Sequence, residues 1–468
     1  MRFSLVLVAV AALTEAAEAD SDGTIVALKA RRLYDGKSDR VVSPGVVLVK
    51  DGKILAAGDR VTIPAEARVI ELGDATLLPG LMDAHTHLSF EATNDWAADE
   101  LASLKKEPTE RALEASRFAR ATLEAGFTTV RDLGSSDAID VGLRNAIARG
   151  IVSGPRMLIA TRAISARGGH CDPTEGYRQG LLKEPGIDQG VADGPDQMRA
   201  VVRFNAKYGA DVIKVCASGG VLSQTDKVDS AQLTQAELAA VADEAHALGK
   251  RVAAHAHGSE AAKRAVRAGI DSIEHGSFLD DEALDLMRAK GTYLVYTPVP
   301  CIVDRLDRGN APDAVKQKAK AATGAMEATL KRALAKGVKI AFGSDAAVCP
   351  HGSQGGQFAL LAKAGMKPLA ALRTAMSVDA QLLGVADKLG TLEAGKIADV
   401  IAVAGDPSID LAAMTTVMFV MKDGAIQHQL APPRPQAQPP TPPSSDRACK
   451  VFDRLPSGAC PKRGQLDI

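Results

Sequence analysis

The order of apolar segments predicts an α/β protein: a (β/α)8 barrel with a small β-sandwich domain built from both ends of the chain. Three observations carry this. Eight short β-rich runs recur through the centre, at 81–85, 128–132, 157–161, 212–216, 252–255, 272–275, 293–296 and 339–342. Helical stretches with 3.6-residue apolar spacing lie between most of them, 237–248 and 261–268 among them. Two turn-punctuated β-rich segments flank that centre. Alternating strand–helix units favour a parallel sheet, and eight of them favour closure into a barrel of the TIM type. An open, doubly wound sheet is the structural alternative, weakened because no G-x-G-x-x-G follows the first strand.

Composition bounds the function. The chain has 468 residues, 46% hydrophobic and 24% charged, an ordinary globular balance. A net charge of −1 excludes the broadly basic surface that nucleic acid requires, and 3% aromatics excludes a base-stacking platform. No apolar run reaches the roughly 18 residues of a membrane-spanning helix. Neither nucleic acid nor membrane is therefore an expected partner.

The segments follow in order. Residues 1–19 read as an export signal: Arg2, an apolar stretch over 3–13 too short to span a bilayer, then Ala17-Glu18-Ala19 before Asp20. A periplasmic or secreted protein is expected; the alternative is the frayed apolar start of a cytoplasmic one. Residues 20–78 hold the first part of the β-domain, where Val46-Val47-Leu48-Val49 runs into the hairpin signal Lys50-Asp51-Gly52-Lys53. Residues 79–389 form the barrel. Residues 390–430 return to the β-domain, with β-rich runs at 398–403 and 417–421 and the turn Lys422-Asp423-Gly424. The tail, 431–468, has seven prolines between 431 and 445 and reads as extended chain. Beyond them Cys449 and Cys460 can close a small loop if the protein is exported. Cys171, Cys216, Cys301 and Cys349 are scattered without a C-x-x-C pair, which excludes a zinc ribbon, and Cys216 reads as a barrel-core residue.

A barrel places its chemistry at the C-terminal ends of its strands. His85 and His87 end the first strand, and residues i and i+2 of a strand point the same way. Lys214 lies in the fourth strand, His255 ends the fifth, His275 the sixth, and Asp345 follows the eighth. Singly, each has an ordinary structural explanation: a solvated histidine, a satisfied core histidine, a helix N-cap aspartate. Together, four imidazoles and a carboxylate at one mouth suit a borderline divalent metal, zinc first. A cationic lysine there would repel the metal, so Lys214 must be neutral or converted to an anion.

At these residues the sequence resembles the metal-dependent amidohydrolase superfamily. The run Leu78-Pro79-Gly80-Leu81-Met82-Asp83-Ala84-His85-Thr86-His87 is similar to that family's first-strand signature, and 390–399 to its return into the β-domain. The resemblance implies two divalent ions, most simply Zn2+. His85 and His87 would hold a buried ion, His255 and His275 a more exposed one, and carboxylated Lys214, formed with CO2, would bridge them. Asp345 would bind the buried ion and handle the proton of an attacking bridging hydroxide. Deaminases and imidazolone hydrolases of the superfamily carry a Glu three residues after the fifth-strand His; here Gly258 stands there. The stretches 214–221, 255–258 and 272–276, with Gly168-Gly169-His170, resemble instead the dipeptidase and carboxypeptidase-like branch, which includes Xaa-Pro and Xaa-Arg/Lys dipeptidases and ochratoxin-degrading enzymes.

That branch implies cleavage of the amide before a C-terminal amino acid. Dipeptides, N-acyl amino acids, or ochratoxin A (to ochratoxin alpha and phenylalanine) would be substrates. A cyclic-amide or lactone hydrolase is the alternative on the same site; a non-catalytic binding protein is disfavoured by the intact ligand set. His170 and His257 are candidate catalytic and substrate-binding groups, His257 alternatively a residue that orients the metal site. Tyr296 is a candidate substrate contact or a packed barrel-end aromatic. By analogy with related enzymes a homo-oligomer, an octamer, is expected.

Overall fold

The computed structural model describes residues 23–430. The export signal, the proline-rich tail and the Cys449/Cys460 pair lie outside the described residues. Eight strands stand at the eight predicted places: β1 (Leu81–Thr86), β2 (Phe127–Asp132), β3 (Arg156–Ile159), β4 (Ile213–Cys216), β5 (Val252–Gly258), β6 (Ser272–Phe278), β7 (Tyr293–Tyr296) and β8 (Ile340–Phe342). Nearly every residue in them is buried, as expected of parallel strands covered on both faces.

The strands run parallel in two laddered arcs. One is β1-β2-β3; the other is β4-β5-β6-β7-β8, extended by the two-residue strand Ala163–Ile164 beside β4. Backbone hydrogen bonds join the arcs at both seams. Asp345 N–H donates to the His85 carbonyl at 2.8 Å, and Asp211 N–H to the Ile159 carbonyl at 2.7 Å. The first seam is reinforced by buried Asp83, which accepts from the backbone N–H of His85 and Ser344 and from the Ser344 hydroxyl.

The third predicted strand, 157–161, is divided. It ends at Ile159; Thr161, in the left-handed region (φ 60°), turns the chain into Ala163–Ile164. Outer helices follow the predicted periodicity. Gln235–Ala247 opens on a capping box in which Thr234 and Glu237 satisfy each other's backbone N–H, and Ser259–Ala268 buries Ala261, Ala262, Ala265 and Val266. Among the described residues no helix is long and apolar enough to cross a membrane.

The small β-domain draws on both ends of the described chain. A four-stranded sheet pairs Lys53–Gly58, Gly45–Lys50, Val26–Ala30 and Arg68–Glu71. A five-stranded sheet runs Ala425–Gln429, Val417–Lys422, Val400–Ala404, Ala75–Pro79, Arg32–Leu33, with Ile401 opposite Leu78. Both predicted hairpin turns hold two successive left-handed residues, Asp51-Gly52 and Asp423-Gly424, as the favoured two-residue turn demands. The two tips touch: a Cβ on Gly424 would lie 2.6 Å from Gly52 Cα.

Candidate metal centre and substrate pocket

Two groups of metal-ligating side chains meet at the C-terminal ends of the strands. The first is His85, His87 and Asp345. Asp345 Oδ1 lies 3.6 Å from the Nε2 atoms of both histidines, and Lys214 Nζ lies 3.5 Å from His85 Nε2. The other ring nitrogens are occupied: His85 Nδ1 is 2.8 Å from Glu274 Oε2, and His87 Nδ1 is 3.1 Å from the Gly134 carbonyl. Carbonyl and carboxylate oxygens accept, so both Nδ1 atoms carry the proton and both Nε2 lone pairs are free for a metal.

The second group is His255, His257 and His275, all buried. His255 donates from Nε2 to the Gly219 carbonyl at 3.0 Å, which frees its Nδ1 lone pair. His257 Nδ1 lies 2.8 Å from the Ser277 hydroxyl, and His275 Nδ1 2.7 Å from that of Thr297. Within each group the potential ligand atoms lie within 4.8 Å of one another. The groups adjoin, the His85 and His275 rings being 4.8 Å apart.

Burial keeps these imidazoles neutral. It lowers His85, His255 and His275 well below the usual histidine value, His87 and His170 to about 4, and His257 to about 3. Burial also lowers Lys214 to about 8 and raises Asp345 to about 6, the latter opposed by the nearby Lys214. Metal binding needs neutral imidazole and ionised carboxylate; the histidines are already in the required form at neutral pH. The donor set therefore fits borderline divalent ions.

Two site residues sit in a backbone conformation that L-residues rarely adopt: His275 (φ 69°) and Asp345 (φ 55°). The left-handed turn at His275 breaks strand alternation, so sequence neighbours Glu274 and His275 both serve the interior. Glu274 and its partner Arg131 were not singled out in the sequence. A charged residue in the interior of each of two covered strands, Phe127–Asp132 and Ser272–Phe278, is the signal that could have found them. Both are fully buried: Arg131 Nη2 reaches Glu274 Oε1 at 2.9 Å and Arg131 Nε donates to the Ala84 carbonyl.

The site opens into a cavity of about 470 Å3, lined by all six candidate ligands together with His170 and His257. An apolar wall comes from Val221, Leu222, Val299, Ile302 and Val348, which pack in one cluster; the lining also holds Met326 and the polar residues Ser135, Ser136, Arg162 and Gln189. Tyr296 lies elsewhere. It packs in the main hydrophobic core, and its neighbour Thr297 is the residue that reaches the cavity.

The four internal cysteines, scattered in the sequence, are joined in two pairs. Cys171 bridges Cys216, and Cys301 bridges Cys349. Cys216 is thus no simple core residue. Pairs separated by 45 and 48 positions leave no local spacing signal, so only the fold brings them together.

A lysine, a carboxylate and neutral imidazoles gathered at the ends of parallel strands define a hydrolase of the α/β-barrel class with side-chain groups that could hold a metal. The chain belongs to the amidohydrolase family, whose sequence model matches residues 76–430, and is a hydrolytic enzyme acting on amide bonds. It is 31% identical to the ochratoxinase of Aspergillus niger over 350 residues, 72% of this chain and 71% of that one. Among solved structures it is similar to a Xaa-Pro dipeptidase with methionine bound in the active site (40% identity, TM-score 0.82, covering 86% of this chain and 99% of that one). It is also similar to the crystal structure of A. niger ochratoxinase (28%, TM-score 0.75, 87% and 96%). These likenesses support a TIM barrel with a small added domain and the dipeptidase-like branch of the family.

Proposed function

We propose that the protein hydrolyses the amide bond preceding a C-terminal amino acid, in dipeptides, N-acyl amino acids or an aryl amide such as ochratoxin A, with two divalent ions, zinc first. The observation that carries this reading is the meeting of two adjoining ligand groups and Lys214 in one cavity that offers both a cation and an apolar wall. Arg162 has no carboxylate within ion-pair distance among the described residues, so it is free to take the substrate's terminal carboxylate. The apolar wall takes the side chain or acyl group.

His85, His87 and Asp345 would hold one ion and His255 and His275 the other. Lys214, neutral in part because burial depresses its basicity, would take up CO2, lose a proton and bridge the two as a carbamate. When bound, such ions polarise a carbonyl and acidify water. Asp345, raised to about 6, is suited to accept the water's proton and return it to the leaving amine. Both His170 and His257 line the cavity. His257, with its Nδ1 accepting from the Ser277 hydroxyl, can donate from Nε2 to the carbonyl oxygen as charge develops there. Neutral His170 instead gives its Nδ1 proton to Ser223, which itself donates to Asp226, and so presents an Nε2 lone pair that can accept from a substrate N–H.

Deamination is disfavoured. A Cβ at Gly258 would stand 2.1 Å from the Asp229 carbonyl oxygen, so no glutamate fits there. The two disulfides support an oxidising compartment and hence the export reading. A homo-oligomer remains the expectation by analogy.

The test is metal analysis together with a substrate panel of Xaa-Pro, Xaa-Arg and N-acyl-Phe compounds set against dihydroorotate and lactones. About two zinc per chain and turnover of the linear amides are expected. Turnover confined to the cyclic compounds would move the assignment to a cyclic-amide or lactone hydrolase.

A further inference from the structure

His170 stands on a long connection between the short strand Ala163–Ile164 and the helix Pro195–Lys207, whose only regular element is the single turn Ile187–Gln189. A side chain on such a segment is poorly placed for a reaction unless something fixes it. Here it is gripped from several sides. The next residue, Cys171, is bridged to Cys216, with Cα atoms 6.1 Å apart. Cys216 is the last residue of β4, two beyond Lys214 and in register with His255. The bridge thus ties the connection to the strand that carries the lysine.

The hydrogen bonds of His170 come from the loop after β4. The His170 backbone N–H donates to Gln232 Oε1 at 2.9 Å, and His170 Nδ1 is 3.0 Å from the Ser223 hydroxyl. Asp226 organises both partners. It accepts from Ser223 at 2.6 Å, from Gln232 Nε2 at 3.0 Å and from the Gly220 N–H at 3.1 Å, and is ion-paired with Lys318 at 3.0 Å. The ring lies over Gly220: a Cβ there would stand 2.0–2.3 Å from three of its atoms. Its outer position is set against His255, the ring centroids 4.4 Å apart.

We propose that the Cys171–Cys216 bridge and the glycine seat at Gly220 are positioning devices for His170, holding its imidazole over the metal centre. This rests on the reading of the pocket as an amide-hydrolysing site. The bridge itself touches no reacting atom in this account. A purely structural staple would protect the fold as a whole; a positioning bridge acts through one side chain.

The two are separated by a set of variants of the full chain: Cys171→Ser/Cys216→Ser, His170→Ala, the two combined, Gly220→Ala, and Cys301→Ser/Cys349→Ser as control. Steady-state kinetics on an N-acyl amino acid, metal content and amide hydrogen exchange are read on each. Loss of the bridge is expected to lower kcat/KM by about tenfold or more, because small misplacements near a reacting centre are expensive, with metal content unchanged. Exchange over 166–176 is expected to rise about tenfold without a rise in the control. In the His170→Ala background, removing the bridge is expected to change kcat/KM by less than about twofold. Gly220→Ala, with the bridge intact, should reproduce the His170→Ala loss.

Multiplicative losses in the combined variant, or unchanged exchange over 166–176, would overturn the proposal. If the serine variant does not fold, the same readings are taken on Cys301→Ser/Cys349→Ser protein treated with a water-soluble phosphine. The phosphine is oxidised to its oxide as the 171–216 bond breaks, water supplying the oxygen and the two thiol protons. Raised exchange in an enzyme that turns over no amide would leave the positioning role standing and count against the proposed function alone.

Discussion

Glu274 Oε2 lies 2.8 Å from His85 Nδ1, while its other oxygen lies 2.9 Å from Arg131 Nη2. One buried carboxylate thus fixes the tautomer of a candidate metal ligand and neutralises the largest fully buried side chain of the described residues. Metal centre and barrel interior share an electrostatic support.

Glu274→Gln is therefore expected to do two things. It leaves Arg131 without its counter-charge, which should destabilise the protein by about 3–5 kcal/mol in chemical denaturation. It also lets His85 lose its fixed Nδ1 proton, and metal affinity should fall about 10–100-fold by competition with a chromophoric chelator. A change in neither would remove Glu274 from the site.

Lys214→Ala should lose both activity and bound metal, since it removes the group proposed to bridge the two ions, which lies 3.5 Å from His85 Nε2 in the same cavity as the second ligand group. Metal analysis of the purified variant checks this. Retention of two ions per chain would show that the lysine is no bridge.

Asp345 predicts a pH dependence with a definite sign. Burial raises its carboxyl to about 6 in the metal-free protein, so below that pH a metal must displace a proton. The affinity advantage of the wild type over Asp345→Asn should be full above pH 6 and shrink by about tenfold per unit as pH falls below it. Calorimetric titrations at pH 7 and pH 5 measure it. An advantage unchanged at pH 5 would contradict metal ligation by this residue. Turnover by Asp345→Asn should fall by orders of magnitude, with the fold retained.

Arg162→Met should raise KM for substrates with a free terminal carboxylate by about tenfold or more, the loss of a charge-assisted hydrogen bond. Steady-state kinetics on a matched acid and carboxamide would read it. Equal effects on both would place the carboxylate elsewhere in the cavity.

His257→Ala is expected to lower activity less than His255→Ala. Both imidazoles are buried in the same group, but His257 is weighed as a cavity donor and His255 as a ligand. Metal content should drop only in the second variant; a drop in both would make His257 a ligand as well.

The eight strands were legible because a parallel strand buried on both faces is a short, nearly unbroken apolar run, and its outer helix keeps the 3.6-residue period. His85, His87, Lys214, His255, His275 and Asp345 stood out as polar exceptions at the ends of such runs, and those six side chains do line one cavity. The two hairpin tips were equally plain, since Asp-Gly supplies the left-handed pair the turn needs. What the sequence could not decide depends on distance through space. For His85, His87 and His255, which ring nitrogen is free follows from partners 36 to 189 positions away. The disulfides, the Arg131–Glu274 pair and the seat of His170 on Gly220 likewise join residues that no periodicity links. Tyr296 shows the same limit from the other side: a strand end fixes where a residue sits along the barrel, but packing chose Thr297 to face the cavity. Local pattern sets the elements, because backbone period and burial are local properties; the closure of strands on one another sets the chemistry, because only it brings distant charges into contact.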